Sequence, residues 1–300
     1  MAPPPGISPG DETVHSSSGF SRREAFARNI GLLDENEQEM LATRCVAIPG
    51  LGGVGGIHAI TLARLGIGRF HLADPDRFEL ANFNRQYGAT MATIGHGKTA
   101  VIAHQIRQIN PEAEIRTFDE GVHDGNMDAF LRGADLVVDG LDFFALDIRQ
   151  MLFRAAAATN LYVVTAGPVG FSCAMLIFSP DGMGVDEYFG FTAGQTETQQ
   201  RNRFAVGLTP RATHLPYMGL AKTDFKAGTG PSLALATDLC AGMVATEAVR
   251  ILLRRGRVRA VPHYVQFDAY RRIYKKGYLA WGNRNPIQRA KIWYLDRRFR

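Results

Sequence analysis

The sequence lacks any segment suited to crossing or entering a membrane. Its 300 residues contain no apolar run of eighteen or more, which argues against a membrane-spanning helix. The first nineteen residues, MAPPPGISPGDETVHSSSG, have no basic region followed by an apolar core, and they are rich in Pro, Gly and Ser. We therefore expect residues 1–19 to be a flexible N-terminal segment rather than a secretory signal.

Cysteine is scarce. The three cysteines, Cys45, Cys173 and Cys240, are widely spaced, so the chain has no disulfide framework, and a reducing, cytoplasmic location is expected. Cys45 and Cys173 fall in apolar strand-like runs, and Cys240 falls inside an apolar helix-like run. Burial is the expected state of all three.

Acidic residues are scarce near the C-terminus. From Arg254 to Arg300 there are fourteen Lys and Arg against two Asp and Glu, whereas the whole chain has a net charge of +5. A basic segment of this kind can attract nucleic acid, an acidic protein or a membrane surface. The alternative is a solvent-exposed face whose charge serves solubility. No RNA-binding motif or Arg/Gly repeat accompanies it. We treat residues 271–300 as a basic C-terminal segment.

A glycine-rich turn organises the remainder of the chain. A short apolar run, Cys45 to Ile48, is followed by a complete G-x-G-x-x-G, Gly50 to Gly55, then by a helical run to Leu65 and a second strand, Arg69 to Ala73. Glycines let the backbone approach a phosphate, and the helix N-terminus offers free N–H groups to an anion. Asp74, at the end of the second strand, is placed to accept hydrogen bonds from ribose hydroxyls. A tight turn without a ligand is the alternative.

The residues after Asp74 favour ATP over NAD. Two cations, Arg85 and Lys98, follow the glycine-rich turn closely, and a further strand ends in the carboxylates Asp139 and Asp142. Cations for phosphates and a carboxylate for magnesium suit chemistry on the phosphates themselves. A surface salt bridge for Arg85 and a helix-start lysine at Lys98 are the structural alternatives.

Several motifs in one order resemble the ThiF/MoeB family, the ATP-dependent adenylyltransferases related to ubiquitin-activating enzymes. They are GLGGVGG, LARLGIGRFHLADPD, ANFNRQ, the GKTA lysine, INPEAEI and DLVVDGLD. The resemblance covers residues 20–178 and, more loosely, 228–270. It implies ATP and Mg²⁺ as cofactors, and a carboxylate substrate that is converted to an acyl-adenylate with release of pyrophosphate.

The resemblance also assigns roles to individual residues. It places the phosphates on the glycines of the turn, the ribose at Asp74, the triphosphate at three polar side chains, and magnesium at Asp142, and it includes Asp76 among the cofactor-binding residues. The glycines are Gly50, Gly52, Gly53 and Gly55, and the triphosphate ligands are Asn82, Arg85 and Lys98. It further implies a homodimer in which Arg28 reaches the partner's ATP site, with Arg22 and Arg23 as competing candidates.

The sequence departs from the family in three places. Phe143 stands where the family usually has Asn after the magnesium aspartate, which puts the substrate side of the site in question. Two C-x-x-C pairs hold zinc in many relatives and are absent here, so zinc is not expected. No cysteine lies between Ser179 and Leu239, so we expect the adenylate to pass to an external nucleophile without a thioester step.

Alternating strands and helices predict an α/β, Rossmann-like, doubly wound and mostly parallel sheet with helices on both faces. The adenylyltransferase domain is expected over residues 20–270, with an irregular, substrate-side insertion at 179–231.

The leading function is adenylation of the C-terminus of a ubiquitin-like or sulfur-carrier protein. A modified tRNA base, reached through the basic segment, and a ribosomal peptide remain open as substrates. Two alternatives belong to other functional classes: an NAD-dependent oxidoreductase, and a scaffold protein that binds a nucleotide without catalysing a reaction.

Overall fold

The chain folds around one eight-stranded sheet. The computed structural model describes residues 19–219 and 230–298, and residues 1–18, where most of the expected flexible segment lies, fall outside them. The strands are β1 (Cys45–Pro49), β2 (Arg69–Ala73), β3 (Glu114–Phe118), β4 (Leu136–Asp139), β5 (Val163–Val169), β6 (Ser172–Phe178), β7 (His263–Asp268) and β8 (Ile273–Tyr278). Their spatial order is β3-β2-β1-β4-β5-β6-β7-β8.

The first five strands in sequence form the parallel part of the sheet. β1 pairs in parallel with β2 and β4, while β3 and β5 extend the two sides. The strand order therefore reverses at β1, and the carboxyl ends of β1 and β4 open a crevice at the switch point, where nucleotides bind in such sheets. β6, β7 and β8 continue the sheet as an antiparallel meander. The predicted doubly wound, mostly parallel α/β fold is confirmed.

Helices cover both faces of the sheet, as predicted. The described helices are α1 (Arg22–Ala25), α2 (Glu35–Thr43), α3 (Gly55–Arg64), α4 (Lys98–Ile109), α5 (Met127–Leu131), α6 (Leu146–Ala158), α7 (Val185–Phe189), α8 (Glu197–Leu208), α9 (Ala234–Leu252) and α10 (Pro286–Arg298). α3, α4 and α9 bury one apolar core against the sheet, with Ile48, Ile102 and Val244 at its centre. α5 to α8 bury the other, around Phe130, Leu152 and Tyr188.

The region before β1 is built from short pieces. α1 ends after four residues, and a 3₁₀ turn, Ala27–Asn29, follows. Gly31 then adopts a φ of +103°, a conformation that glycine reaches without strain. Asp34 starts α2 with a capping box, since its side chain accepts the Glu37 N–H and the Glu37 side chain accepts the Asp34 N–H. This reciprocal cap makes α2 a separate helix.

The expectation that residues 179–231 are irregular is wrong for much of the segment. α7 and α8 lie within it, and Thr196 caps α8 in a second capping box with Gln199. The polar sequence of α8 hides its helical character, because only Phe204 and Leu208 mark its buried face in the core. Residues 220–229 lie outside the described residues.

The predicted boundary at residue 270 divides two paired strands. β8 pairs with β7 along its whole length, and α10 packs on α8, where Asn202 donates a 2.8 Å hydrogen bond to Asp296. The basic C-terminal segment is therefore part of the same folded unit. Its strand was missed because Lys275, Lys276 and Gly277 break the apolar alternation on which strand prediction depends.

No helix in the described ranges 19–219 and 230–298 is both long and apolar enough to cross a bilayer.

Candidate active site

The glycine-rich turn crosses the loop after β4 at very short range. Gly50 has a φ of +78°, and a methyl group built on it would lie 2.4 Å from the Gly140 carbonyl oxygen. A methyl group built on Gly55, the first residue of α3, would lie only 1.7 Å from the Gly50 carbonyl oxygen. Since real Cβ atoms never approach that closely, these glycines are required by the backbone crossing itself.

Gly52 and Gly53 differ, because a side chain would fit there. A methyl group on Gly52 would lie 3.6 Å from Gln86 Nε2, and one on Gly53 would lie 3.9 Å from the Thr237 methyl group. The crossing therefore does not require these two glycines. They leave the backbone before α3 bare, which is what the close approach of a phosphate needs.

Asp74 organises the turn from the end of β2. Its Oδ2 accepts the Leu51 N–H at 2.6 Å and its Oδ1 accepts the Asp76 N–H at 2.8 Å, in a position only 6% exposed. Burial raises the pKa of Asp74, while the Leu51 N–H, the Lys98 charge and the Asp76 N–H oppose the rise. Both oxygens thus already hold backbone groups, so Asp74 has a structural task as well as the ribose role implied by sequence.

Lys98 lies beside this carboxylate at the start of α4. Its Nζ is 2.9 Å from Asp76 Oδ2 and 3.9 Å from Asp74 Oδ1. The Lys98 side chain is 6% exposed, whereas that of Asp76 is 65% exposed. A buried ammonium group held by an exposed carboxylate can exchange that partner for a phosphate with little rearrangement. Three residues assigned to the nucleotide site from the sequence therefore lie together, with Lys98 Nζ within 3.9 Å of both carboxylates.

The segment after β2 forms the other wall of the turn. Asn82 accepts the Glu79 N–H at 3.0 Å, and the Arg85 guanidinium donates to Ala81 and Asn84 oxygens at 3.1 and 2.9 Å. In this arrangement Asn82 and Arg85 support their own loop. Gln86, which we assigned no role from sequence, is buried beside Gly52, and its Oε1 has no hydrogen-bond partner within the described chain.

Asp142 lies exposed in the loop after β4, two residues beyond Gly140. Its Oδ1 accepts the Phe144 N–H at 2.9 Å. The loop is fastened by Arg149 of α6, whose Nη2 donates to the Leu141 and Asp142 carbonyl oxygens at 2.8 and 3.1 Å. Arg149 Nε meets Asp139 Oδ2 at 2.8 Å, with both side chains buried.

A single carboxylate fits magnesium bound together with nucleotide phosphates. Within the described residues, no group of three or more His, Cys, Asp or Glu side chains is arranged to hold a metal alone. Mg²⁺ keeps several waters and binds through one or two carboxylates plus substrate phosphates. The exposed Asp142 carboxylate is a donor of that kind.

Phe143 packs into an aromatic cluster with α8. Its ring centroid is 5.2 Å from those of Phe144 and Phe204, and the Arg149 guanidinium carbon lies 4.6 Å from the Phe204 ring centroid. The residue that departs from the family pattern therefore joins the Asp142 loop to the α7–α8 insertion. It fills a packing position and offers no polar group to a ligand.

Arg28 lies away from the other predicted site residues of its own chain. It is exposed in the 3₁₀ turn after α1, and α1 is anchored near the far end of α3 by the 2.7 Å hydrogen bond from Arg22 to the Gly66 carbonyl oxygen. α3 is ten residues long, about 15 Å. Arg22 is thus committed to a structural contact. A role for Arg28 in an ATP site would require a second subunit.

Residues 26–285 match the sequence profile of the ThiF family. The chain belongs to the ThiF family.

Curated ThiF relatives match over part of their length. The tRNA threonylcarbamoyladenosine dehydratase of Escherichia coli K12 is 32% identical over 149 residues, 49% of this chain and 55% of the relative. The sulfur carrier protein ThiS adenylyltransferase of the same organism is 32% identical over 158 residues, 52% of this chain and 62% of the relative. The ubiquitin-like modifier-activating enzyme 5 of Drosophila melanogaster is 39% identical over 161 residues, 49% of this chain and 38% of the relative. The chain spans about half the length of the curated relatives it matches.

Solved structures share the ThiF fold at low sequence identity. PaaA aligns with a TM-score of 0.64 at 21% identity, covering 87% of this chain and 76% of PaaA. E. coli MccB with ATP aligns with a TM-score of 0.61 at 18% identity, covering 82% and 66%. E. coli TcdA, a tRNA N6-threonylcarbamoyladenosine dehydratase, aligns with a TM-score of 0.58 at 23% identity, covering 78% and 95%. These similarities establish the fold.

Replacing Arg149 by methionine is expected to lower the free energy of unfolding by about 3 kcal/mol, because it leaves the Asp139 carboxylate buried without its ionic partner. Urea unfolding followed by circular dichroism measures the change. Arg154→Met is the matched control on the same helix: Arg154 is 58% exposed and pairs with Asp186, so its loss should cost under about 1 kcal/mol. Equal costs for the two variants would contradict the role given to Arg149.

Proposed function

We propose that this protein uses ATP to adenylate a substrate carboxylate, giving an acyl-adenylate and pyrophosphate. The observation that carries the proposal is the bare glycine-rich turn at the sheet's switch point, with the buried Lys98 and the exposed Asp142 at the same sheet edge. Membership in the ThiF family supports it. A carboxylate nucleophile is already ionised near neutral pH, so the reaction needs alignment and charge neutralisation more than proton transfer.

Each residue has a defined task in this proposal. The backbone at Gly52 and Gly53 and the N-terminus of α3 bind phosphate oxygens. Asp76, more exposed than Asp74, takes the ribose hydroxyls, while Asp74 holds the turn. Lys98 and Arg85 neutralise the triphosphate and the leaving pyrophosphate, and Asn82 keeps the Arg85 loop in place. Magnesium held at Asp142 would supply further positive charge to the phosphates.

The adenylate is proposed to pass to an external nucleophile. Cys240 is fully buried in α9, and its pKa is raised by that burial and by the neighbouring Cys173. A thiol in that state is a poor nucleophile. All three cysteines are free and buried, which agrees with the proposed location in a reducing compartment such as the cytoplasm. Non-reducing electrophoresis with a substrate should therefore show no thiol-sensitive adduct.

The names of the relatives do not single out one substrate class. They leave open several substrates that carry a carboxyl group. The relatives named above act on the sulfur carrier protein ThiS, on tRNA threonylcarbamoyladenosine, or as activators of ubiquitin-like modifiers. A ubiquitin-like or sulfur-carrier C-terminus is the leading candidate here. A modified tRNA base and a peptide, such as the MccA bound to MccB in solved structures, are the other two.

An NAD-dependent oxidoreductase is the competing function from a different class. Asp74 and Asp76 suit either nucleotide, but Lys98 and Asp142 have no task in hydride transfer. Calorimetric titration with ATP and with NAD separates the two. We expect ATP with Mg²⁺ to bind and NAD at the same concentrations to give no heat. Binding of NAD, together with no binding of ATP, would overturn the proposal.

Homodimerisation is part of the proposal. Five large apolar side chains are exposed on the segment between β2 and α4: Leu80, Phe83, Tyr87, Met91 and Ile94. Such a group on a single segment marks an interaction surface. A second copy of the chain covering it would also supply Arg28 to a site that Arg28 cannot reach in its own subunit.

Complementation between inactive variants tests Arg28 in trans. Arg28→Ala and Lys98→Ala are each expected to be inactive in ATP–pyrophosphate exchange. Mixed after reversible dissociation, they should recover about a quarter of the wild-type sites, because half of the dimers are mixed and each has one complete site. Arg23→Ala in place of Arg28→Ala is the control and should be active alone. Failure of the mixture to regain activity, with mixed dimers verified by native mass spectrometry, would contradict the assignment.

A further inference from the structure

One face of the last two strands of the sheet, β7 and β8, is open and aromatic. In the β7–β8 register, Tyr278 lies opposite His263, Lys276 opposite Val265, and Tyr274 opposite Phe267. These six residues therefore share one face, which we call the tyrosine face. Tyr274 and Tyr278 are 59% and 63% exposed, and Lys276 is exposed between them. Within residues 19–219 and 230–298, no helix covers the tyrosine face on these last two strands.

The exposure of the tyrosine face is limited to one face of β7 and β8. On β6, Cys173 and Met175 continue the same face, and there they are buried under α9. On the opposite side of β7, Tyr264, Gln266 and Asp268 are almost fully buried. In the part of the chain that the structure describes, the sheet is thus covered on both faces as far as β6, and β7 and β8 are covered on one face only.

The tyrosine rings are held in place by partners on β7. The Tyr278 ring lies 4.9 Å from the His263 ring at an interplanar angle of 70°, and the Tyr274 ring lies 6.4 Å from that of Phe267 at 60°. Each tyrosine is braced by one ring and retains more than half of its surface. The two tyrosines are four positions apart on the strand, about 13 Å, with Lys276 midway.

The charge of this region has one sign. Residues 269–295 contain seven Lys and Arg, namely Arg271, Arg272, Lys275, Lys276, Arg284, Arg289 and Lys291, and no Asp or Glu. Asp268, the last acidic residue before them, is fully buried and accepts a hydrogen bond from Tyr217. Lys276 is the member of this set that the β7–β8 register places on the tyrosine face, whereas Lys275 points to the opposite face and Lys291 donates from α10 to the Pro210 carbonyl oxygen. A ligand at the tyrosine face therefore meets the charge of Lys276 between two exposed aromatic rings.

We propose that the tyrosine face binds single-stranded nucleic acid, with unpaired bases stacked on Tyr274 and Tyr278 and a phosphate beside Lys276. Aromatic rings on an open sheet face, interleaved with cations, bind splayed bases and their backbone in this way. An acidic protein would use the cations but would have no need of the two rings. Protection of an edge strand likewise explains lysines but not the tyrosines.

The topology leads the bound strand towards the candidate active site. β7 runs in the same direction as β4 and β5, so the β7–β8 turn lies at the sheet edge that carries the glycine-rich turn. Tyr270 in that turn is 67% exposed and stacks on Phe171 at 5.1 Å. β4 and β7 are three strand spacings apart, about 14 Å. Binding of nucleic acid at the tyrosine face does not require the proposed adenylation chemistry.

Fluorescence anisotropy with the full-length protein tests the proposal, using a labelled unstructured RNA 12-mer, the DNA 12-mer of the same sequence, and the RNA duplex. We expect the single strands to bind more tightly than the duplex, with affinity falling as salt rises. Tyr274→Ala and Tyr278→Ala should each raise Kd by roughly tenfold or more, since each removes a base-stacking platform. Equal affinity for RNA and DNA would indicate that the protein contacts bases and phosphates alone. A preference for RNA would indicate an additional contact with the 2′-hydroxyl group. Either result supports the proposal.

A pair of adjacent lysines provides the decisive control. Lys275 and Lys276 are both exposed but point to opposite faces of β8. Lys276→Glu should weaken binding by more than about tenfold, and Lys275→Glu, with the same charge change, by less than about threefold. Equal effects of the two, tighter binding of the duplex, or full competition by poly-glutamate would overturn the proposal. ATP–pyrophosphate exchange, measured separately in each variant, reports on the proposed function independently of this binding.

Discussion

Replacing Lys98 by alanine is expected to reduce the rate of ATP–pyrophosphate exchange by roughly 10²–10³-fold. Lys98 is a buried cation at the glycine-rich turn, 2.9 Å from the exposed Asp76 and 3.9 Å from the buried Asp74. Charge that develops on the triphosphate is stabilised most by a cation that is already held in position. The loss should appear in kcat as well as in kcat/KM, because the ammonium group interacts more strongly with the transition state than with bound ATP.

A nearby arginine serves as the control for Lys98. Arg77 lies on the same segment, but it is exposed and donates to the Gly95 carbonyl oxygen at 2.8 Å, within its own loop. Arg77→Ala should keep exchange within about threefold of the wild-type rate. A Lys98→Ala variant that exchanges as fast as Arg77→Ala would remove Lys98 from the catalytic machinery. Calorimetric ATP binding by both variants verifies that the site is still formed.

Gly55→Ala is expected to destabilise the fold by more than about 4 kcal/mol, the range reached only by severe steric or electrostatic defects. A methyl group there would lie 1.7 Å from the Gly50 carbonyl oxygen and 3.4 Å from the Gly140 Cα. Neither obstacle is a flexible side chain, so β1, α3 and the β4 loop would have to separate. Thermal unfolding followed by circular dichroism, or a loss of soluble protein, measures the effect.

Gly53→Ala tests the same turn without the clash. A methyl group on Gly53 would lie 3.9 Å from Thr237, an ordinary contact, so the free energy of unfolding should change by less than about 1 kcal/mol. A folded Gly53→Ala protein with weakened ATP binding would agree with close approach of phosphate to this backbone. If Gly55→Ala were as stable as Gly53→Ala, the tight backbone crossing would not exist in solution.

The parts of the fold that follow local patterns were predictable from sequence. The β1–α3–β2 unit combines an apolar run, a glycine motif, a helical run and a terminal acid, and each has its own physical signature. α8 was missed because it is polar over most of its length, although the capping box of Thr196 and Gln199 at its start is a signature of a helix N-terminus that the sequence carries. β8 was missed because an edge strand needs only backbone pairing on one side, and its two lysines suit solvent.

The candidate site was predictable where ligand chemistry dictates the residue type, and not where packing does. Lys98, Asp74 and Asp76 were grouped from the sequence because a cation and carboxylates are the residue types expected around phosphate and ribose, and the structure places the three side chains close together. Gly140 and Arg149 were not assigned a role, although Arg149 gave a signal: it lies three residues after the buried Leu146 and four before the buried Phe153, inside the apolar stripe of α6. A charged residue in such a stripe indicates a buried ion pair. Which residue is the partner, here Asp139, depends on tertiary contacts and cannot be read from the local sequence.

ATP–pyrophosphate exchange with a panel of carboxylate substrates tests the central claim most directly. The panel comprises ubiquitin-like and sulfur-carrier proteins, tRNA, and peptide extracts, each with and without chemical blocking of carboxyl groups. Exchange is expected to depend on one class, to disappear when the carboxyl group of that class is blocked, and to be lost in Lys98→Ala and Asp142→Ala. Cleavage of ATP to ADP and phosphate, with no exchange in the presence of any substrate class, would contradict it.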